Sequence, residues 1–242
     1  MRRQPRLDST PCGVLRVKAA SILAARFGPA FPLPTLQLID LACRRGDRVL
    51  FEGVHLSVAA GHMVWLRGSN GRGKTSLLRL VTGLASPEKG EVMWDGKPIR
   101  KSETYRSELV HIGHTNALKD DLTATESLAF LARIHGRDAS IEALQRALDV
   151  FGLSGRRRAP VRTLSQGQRK RVALARLALE SRPGLWVLDE PFDALDVEGM
   201  QRLNALLATH QERGGSALLT SHQPVIDAAL QPVEFDLDRL PS

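Results

Sequence analysis

Two groups of residues in this 242-residue chain have the types and spacing to work on a polyphosphate. The first is Gly68-Ser69-Asn70-Gly71-Arg72-Gly73-Lys74-Thr75, which fits the pattern G-x-x-x-x-G-K-[ST]. A nucleoside triphosphate carries three or four negative charges and needs close backbone N–H donors and a cation. Gly68, Gly71 and Gly73 let the main chain approach without a Cβ clash, and a helix opening near Lys74 adds its positive end. Lys74 is expected to reach the β- and γ-phosphates and Thr75 to hold Mg²⁺, with Ser69, Asn70, Arg72 and Ser76 lining the same triphosphate. The second group is Asp189-Glu190, directly after the apolar run Leu185–Leu188. Carboxylates at the C-terminal edge of a buried strand stand where open α/β sheets bind ligands. Successive side chains on a strand point to opposite faces, so the two acids have separate tasks. Asp189 is the expected Mg²⁺ partner, and Glu190 the group that polarises an attacking water.

These residues require a sheet to carry them. Met63–Arg67 reads as a buried strand running into the glycine loop, and Thr75–Thr82 as the helix after it. From Leu36 to Val58, alternating segments around Arg45-Gly46-Asp47 read as strands, and Asp95-Gly96 marks a hairpin, giving an antiparallel edge. Helical periodicity appears twice between Thr123 and Phe151, on Leu128, Phe130, Leu131 and Ile134 and then on Ile141, Leu144, Leu148 and Phe151. A helical lobe, about residues 116–166, is thus inserted before Leu164-Ser165-Gln166-Gly167-Gln168. Gln168–Leu179, Leu185–Leu188, Val197–Thr209 and Ala217–Thr220 continue as helix, strand, helix and strand. The fold class expected is α/β, a mostly parallel sheet with an antiparallel edge and an inserted helical lobe.

Composition narrows the setting. A hydrophobic share of 43% supports one substantial core. No uncharged apolar stretch reaches the roughly 18 residues that cross a bilayer. Cys12 and Cys43 are the chain's two cysteines, too few for a disulfide framework or a structural zinc site. The net charge of +8 is spread along the chain with few aromatics to stack on bases, so no nucleic-acid partner is expected. Residues 1–34, rich in arginine with Asp8 as their one acid, are expected to be a disordered or extraneous extension. Alternatives are a membrane-surface helix over Val14–Phe27 or a targeting segment. Residues 35–242 would then form one domain.

In order, GSNGRGKT, IGH at Ile112–His114, LSQGQ, LWVLDEP at Leu185–Pro191 and LLTSH at Leu218–His222 resemble the nucleotide-binding subunits of ABC (ATP-binding cassette) ATPases over about Leu36–Pro224. The resemblance implies ATP hydrolysis with His222 as the γ-phosphate-sensing histidine. It further implies that Ser165, Gly167 and Gln168 close on the nucleotide of a second cassette in a head-to-tail homodimer, with Asp196 in the segment crossing that interface. Two positions depart from the family. The aromatic that usually stacks on adenine falls on Arg45, whose guanidinium could stack instead. The usual glutamine at the entry to the helical lobe falls on His114, which could still bond water. Within the family, GSNGRGKTSLLRLVTGL, IGHTNALKDDLTATESL and LTSHQP look most like the ATP-binding subunits of cytochrome c maturation (Ccm) transporters, the haem exporters. That likeness implies integral membrane partner subunits, a peripheral position on the cytoplasmic face of the bacterial inner membrane, and service to haem delivery. The rivals are another ABC exporter or a soluble ATPase acting on DNA or ribosomes. The latter usually carries two cassettes or a coiled-coil arm, which this sequence lacks.

Overall fold

The computed structural model describes residues 35–222 and 227–240. The expected extension over residues 1–34, the helix within it and Cys12 lie outside the described residues.

Two sheets form the frame. Strands β1 (Leu36–Arg45) and β2 (Arg48–Val58) are antiparallel, joined at Gly46-Asp47, and β1 also pairs with β4 (Lys89–Trp94). With the short β5 (Lys97–Pro98) this makes a four-stranded sheet in the order β2-β1-β4-β5, whose last turn is the expected Asp95-Gly96. The second sheet is parallel throughout, in the order β6-β7-β8-β3-β9, from β3 (Met63–Arg67), β6 (Leu109–Ile112), β7 (Leu185–Leu188), β8 (Ser216–Thr220) and β9 (Val233–Asp236). Helix α1 (Lys74–Val81) follows β3, and α2 (Glu103–Glu108) precedes β6.

The parallel strands are apolar on both faces because each face meets a different core. Val64, Leu66, Val187 and Leu218 pack with Leu77, Leu78 and Leu80 of α1 and with Leu38, Phe51 and Trp94 of the antiparallel sheet. Met63, Trp65, Trp186, Leu188 and Leu219 belong to a second core facing the helical lobe. The two-residue period of a strand thus sends alternate side chains into separate cores. Cys43 forms no disulfide among the described residues.

The lobe is built by α3 (Ala124–Ile134) and α4 (Ile141–Val150), leading to α5 (Gln166–Leu174); α6 (Val197–Glu212) lies between β7 and β8. Thr123 starts α3 with a capping box to Glu126, and Ser140 caps α4. The residues that carry the helical periodicity of the lobe are divided between buried and exposed faces. Leu128, Leu131, Leu144, Leu148 and Phe151 are buried, whereas Phe130, Ile134 and Ile141 are exposed. Alanines at 124, 129, 132, 143 and 147 fill the buried faces instead, since small side chains let the helices approach closely. The helix expected over Gln168–Leu179 starts at Gln166 and tightens to a 3₁₀ turn over Ala175–Leu179. Among the described residues no helix is long and apolar enough to cross a membrane.

Candidate functional site

The glycine loop joins the C-terminal end of β3 to α1. Gly68, Gly71 and Gly73 have φ of 144°, 79° and 104°, a region that side-chain-bearing residues rarely adopt. At Gly73 a Cβ would also stand 3.0 Å from the Phe51 ring, so both backbone and space demand glycine there. The Lys74 ammonium folds back over the loop and donates to the Gly68 carbonyl at 2.7 Å. The N-terminal turn of α1 therefore presents a cation and a helix end in one place, as phosphate binding requires. Asn70 and Thr75 are exposed beside it and Ser76 is half-buried.

Asp189 and Glu190 follow β7 and are 4% and 6% exposed, which is rare for carboxylates. Asp189 is held in place by three bonds. Its N–H donates to the Ile112 carbonyl at 2.9 Å, its Oδ2 accepts from the Thr75 hydroxyl at 3.0 Å, and its Oδ1 accepts from Thr220 Oγ1 at 2.8 Å. Thr75 Oγ1 and Asp189 Oδ2 are hard oxygen donors side by side, a set that suits Mg²⁺.

Glu190 turns elsewhere. Its φ of 48° breaks the strand, and its N–H donates to Thr220 Oγ1 at 2.8 Å. Oε1 lies 3.3 Å from His222 Nε2, while Oε2 is buried with no hydrogen-bond partner among the described residues. A buried acceptor with a free lone pair is what a base needs in order to take a water proton. Burial raises the Glu190 pKa above the ordinary carboxylate range; His222 and Lys74 pull it down, and Asp193 and Asp189 push it further up. Thr220, which joins the two acidic residues, lies within the LLTSH segment, whose sequence reading gives a role to His222 alone.

Ser165 caps α5 in a reciprocal box. Its Oγ accepts from the Gln168 N–H at 3.2 Å, and Gln168 Oε1 accepts from the Ser165 N–H at 3.1 Å. The Gln168 side chain is thus committed to shaping the helix start. Gly167 has a steric reason to be glycine, because a Cβ there would sit 2.6 Å from the Ala194 carbonyl. Asp196 caps α6 through Gly199 and accepts from Arg171 of α5 at 2.5 Å. The LSQGQ turn and the segment after Asp189-Glu190 are therefore in direct contact. Lys170 is buried on the same helix, its pKa lowered by burial and partly restored by Asp193, Asp189 and Glu190.

Other sequence candidates stand apart from this cluster. The Arg72 guanidinium points away from the loop mouth, donating to the carbonyls of Leu237 at 3.0 Å, Leu50 at 3.3 Å and Leu240 at 2.5 Å. Arg45 is exposed at the end of β1 opposite Arg48, and it is Leu50 and Phe51 that pack against the loop. His114 is exposed two residues beyond Ile112, whose carbonyl anchors Asp189. Ser69, read as a nucleotide contact, donates from its N–H and its hydroxyl to Asp238 at 2.7 and 2.9 Å. Asp238 lies in none of the sequence motifs.

Comparison with known proteins gives the family. Residues 51–193 match the family described as ABC transporter. The cytochrome c biogenesis ATP-binding export protein CcmA of Albidiferax ferrireducens is 49% identical over 80% of this chain and 92% of its own. Its counterpart in Aromatoleum aromaticum is 47% identical over 86% of this chain and 97% of its own. Among solved structures, an ATP-binding subunit of an ABC transporter superposes with a TM-score of 0.69 at 30% identity, over 77% of this chain and 79% of that one. A putative ABC transporter ATP-binding protein from Pyrococcus furiosus shares the fold at a TM-score of 0.72 and 23% identity, over 86% and 100%. With the phosphate loop, the acidic strand end and the LSQGQ turn on one parallel sheet, the chain belongs to the ATP-hydrolysing, nucleotide-binding subunits of the ABC transporter family, beside the cytochrome c biogenesis ATP-binding export proteins.

Proposed function

We propose that this chain is the ATP-driven motor of a cytochrome c biogenesis transporter and that its cycle serves haem delivery. The observation that carries the hydrolytic part is the division of labour at Asp189-Glu190. One carboxylate is saturated by Thr75 and Thr220, and the other keeps a buried oxygen beside His222 that has no hydrogen-bond partner among the described residues. Thr75 and Asp189 would hold Mg²⁺, which supplies charge neutralisation to the β- and γ-phosphates. Gly68–Ser76 cradle the triphosphate, Lys74 releasing its loop carbonyl to bind phosphate oxygens. Glu190 accepts a proton from the attacking water, and His222 orients both Glu190 and the γ-phosphate.

Ser165 and Gly167 lie at a second helix end and have no phosphate of their own chain to bind. A head-to-tail homodimer, with each LSQGQ turn closing on the other chain's ATP, gives them one. His114 links the end of β6 to the helical lobe and would transmit the state of integral membrane subunits to Asp189 through Ile112. The chain would then work as a peripheral protein on the cytoplasmic face of the inner membrane, residues 35–242 forming the cassette and 1–34 an extension outside it.

The test is co-purification with tagged membrane subunits followed by turnover measurements. Stimulation of ATP hydrolysis by those subunits, and loss of cytochrome c assembly in cells carrying only Glu190→Gln, are expected. Full cytochrome c assembly in that strain would refute the assignment.

A further inference from the structure

The last strand and the turn after it are wired to the phosphate loop. β9 pairs in parallel with β3, bringing Asp236 opposite Arg67, the residue before the loop, and Arg67 also donates to Glu234 at 2.9 Å. A 3₁₀ turn over Leu237–Arg239 then crosses the loop's outer limb. Asp236 caps this turn by accepting from the Asp238 N–H at 3.0 Å, and the loop is reached by the side chain of Asp238. Its Oδ2 accepts from the Ser69 N–H and its Oδ1 from the Ser69 hydroxyl, while Arg72 Nε stands 3.6 Å from Oδ1. Arg72 adds its bonds to the Leu237 and Leu240 carbonyls. Leu237 is wholly buried, and its Cβ lies 3.2 Å from where a Cβ on Gly68 would be. The limb Gly68–Arg72 is therefore fastened at both ends to residues 237–240.

We infer that Asp238 is a positioning residue for ATP binding: it holds the phosphate loop open in its binding geometry from outside, through Ser69 and Arg72, without touching the nucleotide. Glycines at 68, 71 and 73 make this loop conformationally free, and that freedom must be removed when phosphate is bound. Contacts already made by Asp238 remove part of it beforehand. A carboxylate near a polyphosphate also repels it, so charge alone predicts the opposite effect. The two effects separate by substitution. In Asp238→Asn the amide oxygen can still accept from the Ser69 N–H, and the amide nitrogen can donate to the Ser69 hydroxyl, which simply rotates. Asp238→Ala loses the same charge and both contacts.

The inference rests on the reading of Gly68–Thr75 as the ATP site, and the experiment keeps the two apart. Equilibrium binding of a fluorescent ATP analogue to the full chain is measured for the wild type, Lys74→Ala, Ser69→Ala, Asp238→Asn and Asp238→Ala. Retained affinity in Lys74→Ala would undo the site reading itself. With binding abolished there, Asp238→Ala is expected to raise Kd about fivefold, the worth of roughly one net hydrogen bond, and Asp238→Asn less than twofold. Ser69→Ala, which leaves β9 and the turn intact, should weaken binding about twofold and serves if Asp238→Ala folds poorly. Amide exchange of the peptide spanning 68–73, without nucleotide, should quicken in Asp238→Ala and Ser69→Ala but not in Asp238→Asn. Equal affinities for the alanine and asparagine variants, tighter binding in both, or unchanged exchange in Ser69→Ala would overturn the inference.

Discussion

The Thr75 hydroxyl and Asp189 Oδ2 stand 3.0 Å apart although 114 residues separate them along the chain. One belongs to the start of α1 and the other to the end of β7, strands β3 and β7 being held on either side of β8. Asp189 brings a negatively charged oxygen beside the Thr75 hydroxyl, and an amide in its place keeps the shape but removes the charge that a divalent cation needs. Asp189→Asn should therefore lower Mg²⁺-dependent ATP hydrolysis by about 10²-fold or more while the fold persists. Turnover against Mg²⁺ concentration, with circular dichroism as the folding control, checks this.

Glu190→Gln should separate binding from chemistry. The amide preserves the shape beside His222 but cannot take a proton, so hydrolysis should fall about 10²–10⁴-fold with ATP affinity retained. Equilibrium binding and single-turnover hydrolysis on the same preparation measure both halves.

The acid limb of the pH–rate profile should sit above the ordinary carboxylate range, because burial raises the Glu190 pKa and only its ionised form is a base. His222 is the main influence pulling that value down. In His222→Ala the residual activity should therefore show an acid limb moved to still higher pH. A profile unmoved by the substitution would argue that the two side chains are not coupled.

His210 offers a prediction about stability. Its ring stacks on Trp186 at 3.8 Å and 9°, and its Nε2 lies 3.2 Å from the Gly184 carbonyl and 3.3 Å from that of Ser216. Burial lowers its pKa to about 4 from 6.5. The neutral ring is thus favoured in the fold, so stability is fully present above pH 6.5 and declines as the pH falls toward 4. The loss by pH 4 is about 3 kcal/mol, the free-energy equivalent of that displacement. Urea unfolding at pH 7.5 and pH 4.5, repeated on His210→Phe, measures it; the variant should lose less stability between the two.

Gly167→Ala should damage the LSQGQ turn from within. The added methyl meets the Ala194 carbonyl at 2.6 Å, so the segment leading to Asp196 must shift. Hydrolysis should fall at least about tenfold, with a melting temperature lowered by only a few degrees.

What could be read in advance was whatever a local pattern writes down. The glycines of 68–73, the four apolar residues before Asp189 and the Asp95-Gly96 turn each declare their conformation in adjacent letters. The lobe was legible only as two helices. Which face is buried depends on what packs there, and alanines rather than Phe130 or Ile134 face inward. The bonds of Thr220, inside LLTSH, and of Asp238, outside every motif, are hidden for another reason: their partners are 31 and 169 residues away, and no spacing rule joins them. Arg72 was misplaced for the same cause. Its position in the motif says phosphate, but carbonyls of the distant Leu237 and Leu240 claim its guanidinium.

The pairing of β3 with β8 and β9 also bears on how the chain is made. Trp65 finds its neighbours in Leu219 and Glu234, so the strand carrying the phosphate loop has neither flank until nearly the whole cassette has left the ribosome. At ordinary bacterial elongation rates that interval is roughly 10–30 s. Throughout it, Met-Val-Trp-Leu is an apolar strand with two open edges, well suited to pair with another nascent chain. Residues 233–240 cover the second flank of β3 and anchor the loop together. A ribosome stalled or a chain clipped shortly before Val233 should therefore release a cassette that aggregates, rather than a soluble one that merely binds ATP weakly.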